Sequence, residues 1–397
     1  MNSNKSFYKD QITHLKIIIF LSNIFAIDQS VDISLNKKFK NLIRSKNYNL
    51  NFPKEFLKFL ILKNKIANYF DSKSTLFEFY PSLKDDIEFI KKVNVLRSMN
   101  LYNHILKICN LLERNNIDAL ILKGIGLSQI IHKSFFKRES EDIDLLIDFE
   151  TLEETLTLLK NINYFIKEPE RIESNWKSYC TFVLPEIKLV NSNRNFPDID
   201  LHWRASQLRR KDFEFNKLWS NRQIIKKNDS RFFTLSNKDA FHHFCCHSSV
   251  DNWHLLRDFF DIEKFMRILP KNDIDKIIND RSVIRSIKYT NVLIKNSKRE
   301  NQQKFKIFML NKKKVILRSW MTKPTKNPYL YDWNLIDRIF NELRLLQYVN
   351  NIKNFFEILF KFFVPPSYIR NLETNKNRNI FEIFQELLKN FFNRIAK

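Results

Sequence analysis

Asp142 and Asp144 alternate within Glu141-Asp142-Ile143-Asp144-Leu145-Leu146, and Asp198 and Asp200 alternate within Asp198-Ile199-Asp200-Leu201-His202-Trp203. Residues two apart on a strand project from one face, so each segment would present two carboxylates side by side. Such pairs repel unless a cation lies between them, and oxygen ligands of this kind suit Mg²⁺ or Mn²⁺. If the two strands are neighbours, a third carboxylate joins Asp142 and Asp144. The set then fits a two-cation clamp on the attacking and leaving oxygens of a phosphoryl group. Asp198 and Asp200 share a strand face, so spacing does not decide which of them is the third.

The chain has only two glycines in 397 residues, and both lie in Lys123-Gly124-Ile125-Gly126-Leu127-Ser128, ahead of the first acidic pair. Glycine lets a backbone take conformations closed to other residues and approach a ligand closely. A strand ending at Leu122 and a helix opening near Gly124 would aim free backbone N–H groups at an anion, with Lys123 and Ser128 adding charge and a hydroxyl. Gly126, inside the following helix, is also read as a point of close packing. Arg138 and Arg204 either contact a triphosphate or pair with the acidic cluster. His202, two residues from Asp200, either orients a metal-bound carboxylate or touches the acceptor, or is simply a hydrogen-bonded strand histidine. Trp203 reads as core.

These residues need a mixed sheet to position them. Residues 1–100 show helical spacing, as in Phe56-Leu57-Lys58-Phe59-Leu60-Ile61-Leu62, broken at Pro53 and Pro81. Residues 101–204 change period. A helix around Ile105–Leu112 leads to strands at Ala119–Leu122 and Asp142–Ile147 and a helix at Leu152–Leu159. Strands at Tyr179–Leu184, Ile187–Val190 and Ile199–Trp203 follow. Residues 205–397 return to helical spacing, with Pro365-Pro366 as the sharpest break. The expected fold class is α+β: a mixed core between N-terminal and C-terminal helical regions.

Composition narrows the class. A net charge of +24 gives a positive surface that favours nucleotides, nucleic acid or anionic headgroups. Part of that charge accompanies the heavy use of Phe, Lys, Asn and Ile, a bias typical of AT-rich coding sequence. With 44% hydrophobic residues the chain is not a disordered protein. Four scattered or adjacent cysteines form no disulfide framework and point to a reducing compartment, with the cytoplasm as default. The apolar run Lys16–Leu21 is too short to span a bilayer and reads as a buried helix. Asn354–Phe363 reads as a core helix with Glu357 and Lys361 on a solvated face. On a helix, His242, His243, Cys245, Cys246 and His247 put no four ligands on one face, so packing is expected there rather than structural zinc.

Leu122-Lys123-Gly124, then Arg138 ahead of Asp142-Ile143-Asp144-Leu145-Leu146, then Asp200-Leu201-His202-Trp203-Arg204, resemble the uncharacterised nucleotidyltransferase family of the DNA polymerase beta-like superfamily. His247, Trp253, Leu256 and Asp261 match its helical region, and Val364-Pro365-Pro366 its C-terminal turn. The resemblance implies a nucleotidyltransferase core in which Asp142 and Asp144 bind catalytic Mg²⁺ and Asp200 supplies the third carboxylate. It implies transfer of a nucleoside monophosphate from an NTP such as ATP to an acceptor, with release of pyrophosphate. Lys123, Gly124, Gly126, Ser128 and Arg138 fall to nucleotide binding, and His202 and Arg204 to the acceptor side. The wider superfamily usually has Gly-Ser or Gly-Gly where this chain has Lys123-Gly124; Lys-Gly agrees with the subfamily, and phosphate binding by the usual serine does not carry over, so the role of Lys123 is a hypothesis. The acceptor is open among a small molecule, sugar, peptide, protein or RNA. The alternative on the same fold is a catalytically inactive nucleotide- or RNA-binding regulatory protein.

Overall fold

The computed structural model describes residues 17–26, 28–29, 52, 54–168, 184–227, 230–251, 253–294, 345–348, 352–363 and 385. Pro53, most of the strand expected over Tyr179–Leu184, and the Val364-Pro365-Pro366 turn lie outside them. Two compact units are formed from interleaved segments: 1–99, 127–140 and 244–332 in one, and 100–126, 141–243 and 333–397 in the other.

The second unit is built on a seven-stranded mixed sheet. Its strands are β1 (Ala119–Ile121), β2 (Asp142–Ile147), β3 (Tyr164–Glu168), β4 (Glu186–Asn191), β5 (Asp198–His202), β6 (Gln223–Lys227) and β7 (Ser230–Thr234), in the spatial order β3-β4-β5-β2-β1-β7-β6. β2 pairs parallel with β5, and β1 parallel with β7, while the remaining pairs are antiparallel. The fold is therefore the α+β arrangement that the sequence implies. The structure adds β3, and it adds the β6–β7 hairpin inside the stretch read as helical. The hairpin residues Ile224-Ile225 and Phe232-Phe233 are apolar doublets, which break the strict alternation by which a strand is recognised.

Sequence dictates how each strand is dressed. The central β1 and most of β2 are buried, as an uninterrupted apolar run requires. In β4 and β5 buried Ile187, Leu189, Ile199 and Leu201 alternate with Glu186, Lys188, Asp198, Asp200 and His202, which emerge on the opposite face. Helix α1 (Lys84–Arg114) leads into β1, and helix α2 (Gly124–His132) follows it. Helix α3 (Leu152–Asn161) buries Leu152, Thr155 and Leu159 at helical spacing and packs beside β3.

The first unit is helical and rich in phenylalanine. Residues 17–26 form the buried helix expected of that apolar run, with Ile17, Ile18, Phe20, Leu21, Ile24 and Phe25 inside. Phe25 stacks on Phe260 with ring centroids 3.8 Å apart. α4 (Asn237–Val250), α5 (Leu256–Ile268) and α6 (Arg281–Ile294) follow in the chain. The indole N–H of Trp253 donates to Ser286 Oγ at 3.0 Å. The N-terminal part of α4 belongs to the sheet unit, where His243 Nε2 lies 2.6 Å from the Ala205 carbonyl. His242, His243, Cys245 and Cys246 are buried in α4.

Helix α7 (Ile352–Phe363) belongs to the sheet unit. Glu357 does not face solvent there, contrary to its reading from spacing: it is buried and bridges Arg204 Nη1 at 2.7 Å and Arg209 Nε at 3.0 Å. A buried carboxylate demands such partners. Asn354 completes the clamp by exchanging hydrogen bonds with the Arg209 backbone.

Gly126 has a packing role. A Cβ built on it would lie 2.7 Å from Thr234 Oγ1, and that hydroxyl donates to the Ile121 carbonyl at 2.6 Å. Thr234 cannot retreat without disturbing this side-chain bond to β1, which adds to the strand pairing. Gly126→Ala is expected to destabilise the protein by about 1–3 kcal/mol, and Thr234→Ala in the same chain to recover part of the loss. Chemical denaturation of the two variants checks both.

Candidate active site

The register of three strands gathers the polar face. β2 pairs with β5 so that Asp142 lies opposite Asp198, Asp144 opposite Asp200, and Leu146 opposite His202. β4 pairs with β5 on its other side, placing Lys188 opposite Asp200 and Glu186 opposite His202. Residues in register share a face. Asp142, Asp144, Asp198, Asp200, Glu186, Lys188 and His202 therefore form one surface, and Lys123 joins it from the end of β1. The sequence reading named Asp142, Asp144, Asp198, Asp200, His202 and Lys123 among these. It missed Glu186 and Lys188, whose signal was the polar half of the alternation in β4.

Asp144 is the buried centre. Lys123 Nζ lies 2.7 Å from its Oδ1, and His202 Nε2 lies 3.5 Å from the same oxygen. Burial disfavours its charge, but Lys123 and His202 outweigh that and hold the carboxyl well below the usual carboxylate range. Burial likewise opposes the Lys123 charge, which Asp144, Glu186 and Asp142 nevertheless raise above the ordinary lysine value. His202 Nδ1 lies 2.8 Å from Glu186 Oε2. Burial works against an imidazolium, yet Glu186 and Asp144 push His202 up to about 10. Glu186 falls to about 2 because His202 and Lys123 overcome its burial.

Asp200 behaves oppositely. Burial, then the neighbouring charges of Asp142, Asp144 and Glu186, push it up to about 7, only partly offset by Lys188. Lys188 Nζ is 3.2 Å from Asp198 Oδ2 and 4.0 Å from Asp200 Oδ1. Side-chain exposure falls from 36% at Asp198 to 21% at Asp200 and 6% at Asp144. Asp198 is thus the outer carboxylate, nearer its lysine, and Asp200 the inner one pressed against the β2 pair. This separates two residues that spacing leaves equivalent.

Gly124 has φ 57°, the left-handed region that favours glycine, where the chain turns from β1 into α2. The first amides of a helix have no intrahelical acceptor. Ser128 and Arg138 belong to the helical unit. The Ser128 hydroxyl donates to the Ser134 carbonyl at 2.6 Å and accepts from the Arg138 N–H at 3.0 Å. The Arg138 guanidinium is buried and donates from Nε to Asp261 Oδ2 at 2.8 Å, and the Tyr69 hydroxyl donates to the other oxygen of Asp261. Arg204 is engaged by Glu357.

Residues 72–286, more than half of the chain, match the family described as "Uncharacterised nucleotidyltransferase", and the chain belongs to it. Among solved structures it is similar to the lincosamide antibiotic adenylyltransferase LnuA in its lincomycin-bound crystal structure. That match is 18% identical, covers 43% of this chain and 97% of that one, and has a TM-score of 0.30. It is also similar to the antibiotic-resistance factor ANT(2'')-Ia in solution: 11% identity, 55% of this chain and 99% of that one, TM-score 0.27. No curated protein matches the sequence.

The electrostatics predict a signed pH dependence. With no cation bound, folded Asp200 keeps its proton up to about 7, whereas an unfolded aspartate loses it near 4. Across that window the folded state binds more protons, so this contribution to stability falls as pH rises. Metal-free Asp200→Asn is expected to be the more stable protein at pH 8, by on the order of 2 kcal/mol, with the gap narrowing as pH falls and closing by about pH 4. Thermal unfolding in chelator at both pH values measures it.

Proposed function

We propose that the protein moves a nucleoside monophosphate from an NTP to an acceptor hydroxyl and releases pyrophosphate, using Asp142, Asp144 and Asp200 to hold divalent cation. The observation that carries this reading is the register that sets Asp200 beside the β2 pair, where it takes up a proton near neutrality unless a positive charge replaces it. The donors fit the ion. They are hard oxygens, and the five carboxylates of the face, once all are ionised, exceed Lys123, Lys188 and imidazolium His202 by two charges. Buried His202 Nε2 is also aimed at Asp144 without completing a hydrogen bond. Mg²⁺ or Mn²⁺ bound there would neutralise the triphosphate and stabilise the departing pyrophosphate.

The chain's own groups do the rest. The acceptor oxygen bonds to the α-phosphorus as the bridge to the β-phosphate breaks. Pyrophosphate leaves with the bonding electrons, and the hydroxyl proton passes to Asp200. Gly124 and the first amides of α2 receive phosphate oxygens, with Lys123 beside them. His202, fixed by Glu186, orients Asp144. Gly126 packs, and Ser128, Arg138 and Arg204 maintain the framework through the bonds described above. Among the described residues no helix is long and apolar enough to cross a membrane. Cys109, Cys245 and Cys246 are free thiols, which suits a reducing cytoplasm.

Asp142→Asn is expected to abolish transfer, by at least about a thousandfold, with unchanged circular dichroism. The assay supplies each α-labelled NTP with Mg²⁺ and cell extract and follows both pyrophosphate and the fraction that acquires label. Full activity in the variant would refute the assignment. Nucleotide binding by the wild type with no pyrophosphate under any condition would favour the inactive binding protein.

A further inference from the structure

The carboxylate face already contains cations of its own, and their placement bears on how ligands enter. Lys123 Nζ is 2.7 Å from Asp144 Oδ1, with side-chain exposures of 16% and 6%. His202 Nε2 approaches the same oxygen at 3.5 Å. Among the described residues both contacts fall on Oδ1 and none on Oδ2. A divalent ion arriving at Asp144 alone would meet the Lys123 ammonium in a site that excludes most solvent, where like charges repel strongly. Moving Lys123 aside would cost it the ion pair with Asp144, and a buried ammonium loses stability when it gives up a close anion. The sequence supplies a second place for it. Lys123 directly precedes Gly124, whose left-handed turn opens α2, so an anion at the first amides of that helix would lie next to the lysine along the chain.

We infer that Lys123 is a displaceable counter-ion of Asp144, so that the site takes metal and triphosphate together as the metal–nucleotide complex and resists either alone. This rests on the reading of Asp142, Asp144 and Asp200 as a cation site and extends it from which groups bind to how the two ligands are coupled. Free metal must compete with the ammonium. Free nucleotide must draw the ammonium away from Asp144 and leave that buried carboxylate with only the more distant His202 beside it. Bound together, the metal takes over Asp144 while the phosphates take over Lys123, and neither charge is stranded. Lys123 is on this account a positioning residue whose contribution to metal affinity and to nucleotide affinity has opposite sign.

The test compares the wild type with Lys123→Met, which keeps the length of the side chain and loses its charge. Mn²⁺ binding to the full chain is followed by electron paramagnetic resonance without nucleotide, and binding of a non-hydrolysable NTP analogue is followed by calorimetry at saturating Mn²⁺. The variant is expected to bind Mn²⁺ roughly tenfold more tightly and the analogue roughly tenfold more weakly. Lys123→Arg, which retains the charge, should stay near the wild type in both, and Lys123→Gln, also uncharged, carries the same comparison if Lys123→Met does not fold. Loss of both affinities in Lys123→Met with a preserved fold would overturn the inference, as would Mn²⁺ binding unchanged by the substitution. If the wild type and Lys123→Met both fail to bind Mn²⁺, the cation site itself is refuted along with it. Tight Mn²⁺ binding that ignores residue 123 refutes only the coupling.

Discussion

Parallel pairing of β2 with β5 sets carboxylate against carboxylate twice over, Asp142 beside Asp198 and Asp144 beside Asp200. Like charges directly opposite on a sheet are destabilising. The apolar residues between them, Ile143, Leu145, Ile199 and Leu201, are buried to within 1% of full exclusion and fix that register. A shift by one residue would turn every one of them to the polar face. The burial of four aliphatic side chains thus enforces a repulsive arrangement on the other side of the same strands. Strain held against a functional face in this way is typical of sites that await a ligand.

The surroundings distribute that repulsion unevenly. Lys188 sits with the outer aspartate and is shared only loosely with Asp200, while Lys123 and His202 converge on Asp144. Glu186 holds His202 from behind. The result is one deeply buried carboxylate that stays ionised and one neighbouring carboxylate that is driven towards protonation. Two carboxyl groups in contact with opposite pKa displacements are a recognised way to divide chemical roles in one site. Here the division falls between a residue that anchors positive charge and a residue free to accept a proton. The family to which the chain belongs makes nucleotidyl transfer the chemistry that such a division would serve.

Much of this was legible in the sequence because its determinants are local. Asp142 and Asp144 lie two apart in an apolar run, so both the strand and its acidic face followed from period alone. Asp198 and Asp200 gave the second strand by the same rule. Gly124 and Gly126 stood out because the chain has no other glycine, and the structure separates them, one by backbone conformation and the other by contact with Thr234. What was not legible depends on partners distant in sequence. Glu186 and Lys188 become site residues only through the β4–β5 register. The β6–β7 hairpin is stabilised by joining the edge of a sheet rather than by a pattern of its own. Proximity in sequence grouped Ser128 and Arg138 with the glycines and aspartates, whereas their hydrogen bonds lie with Ser134 and Asp261. Glu357 had the spacing of a solvated residue, and only the fold brings Arg204 and Arg209 to it.

The central claim is that the repulsion built into the β2–β5 face is resolved by a divalent cation. Anomalous diffraction from crystals soaked in Mn²⁺ with a non-hydrolysable nucleotide tests it most directly. The account predicts a strong peak within coordination distance of the Asp142 and Asp200 carboxylates, with the nucleotide phosphates beside Gly124. A fully occupied nucleotide with no anomalous density at these aspartates, or Mn²⁺ bound elsewhere while Asp200 keeps its proton, would contradict it.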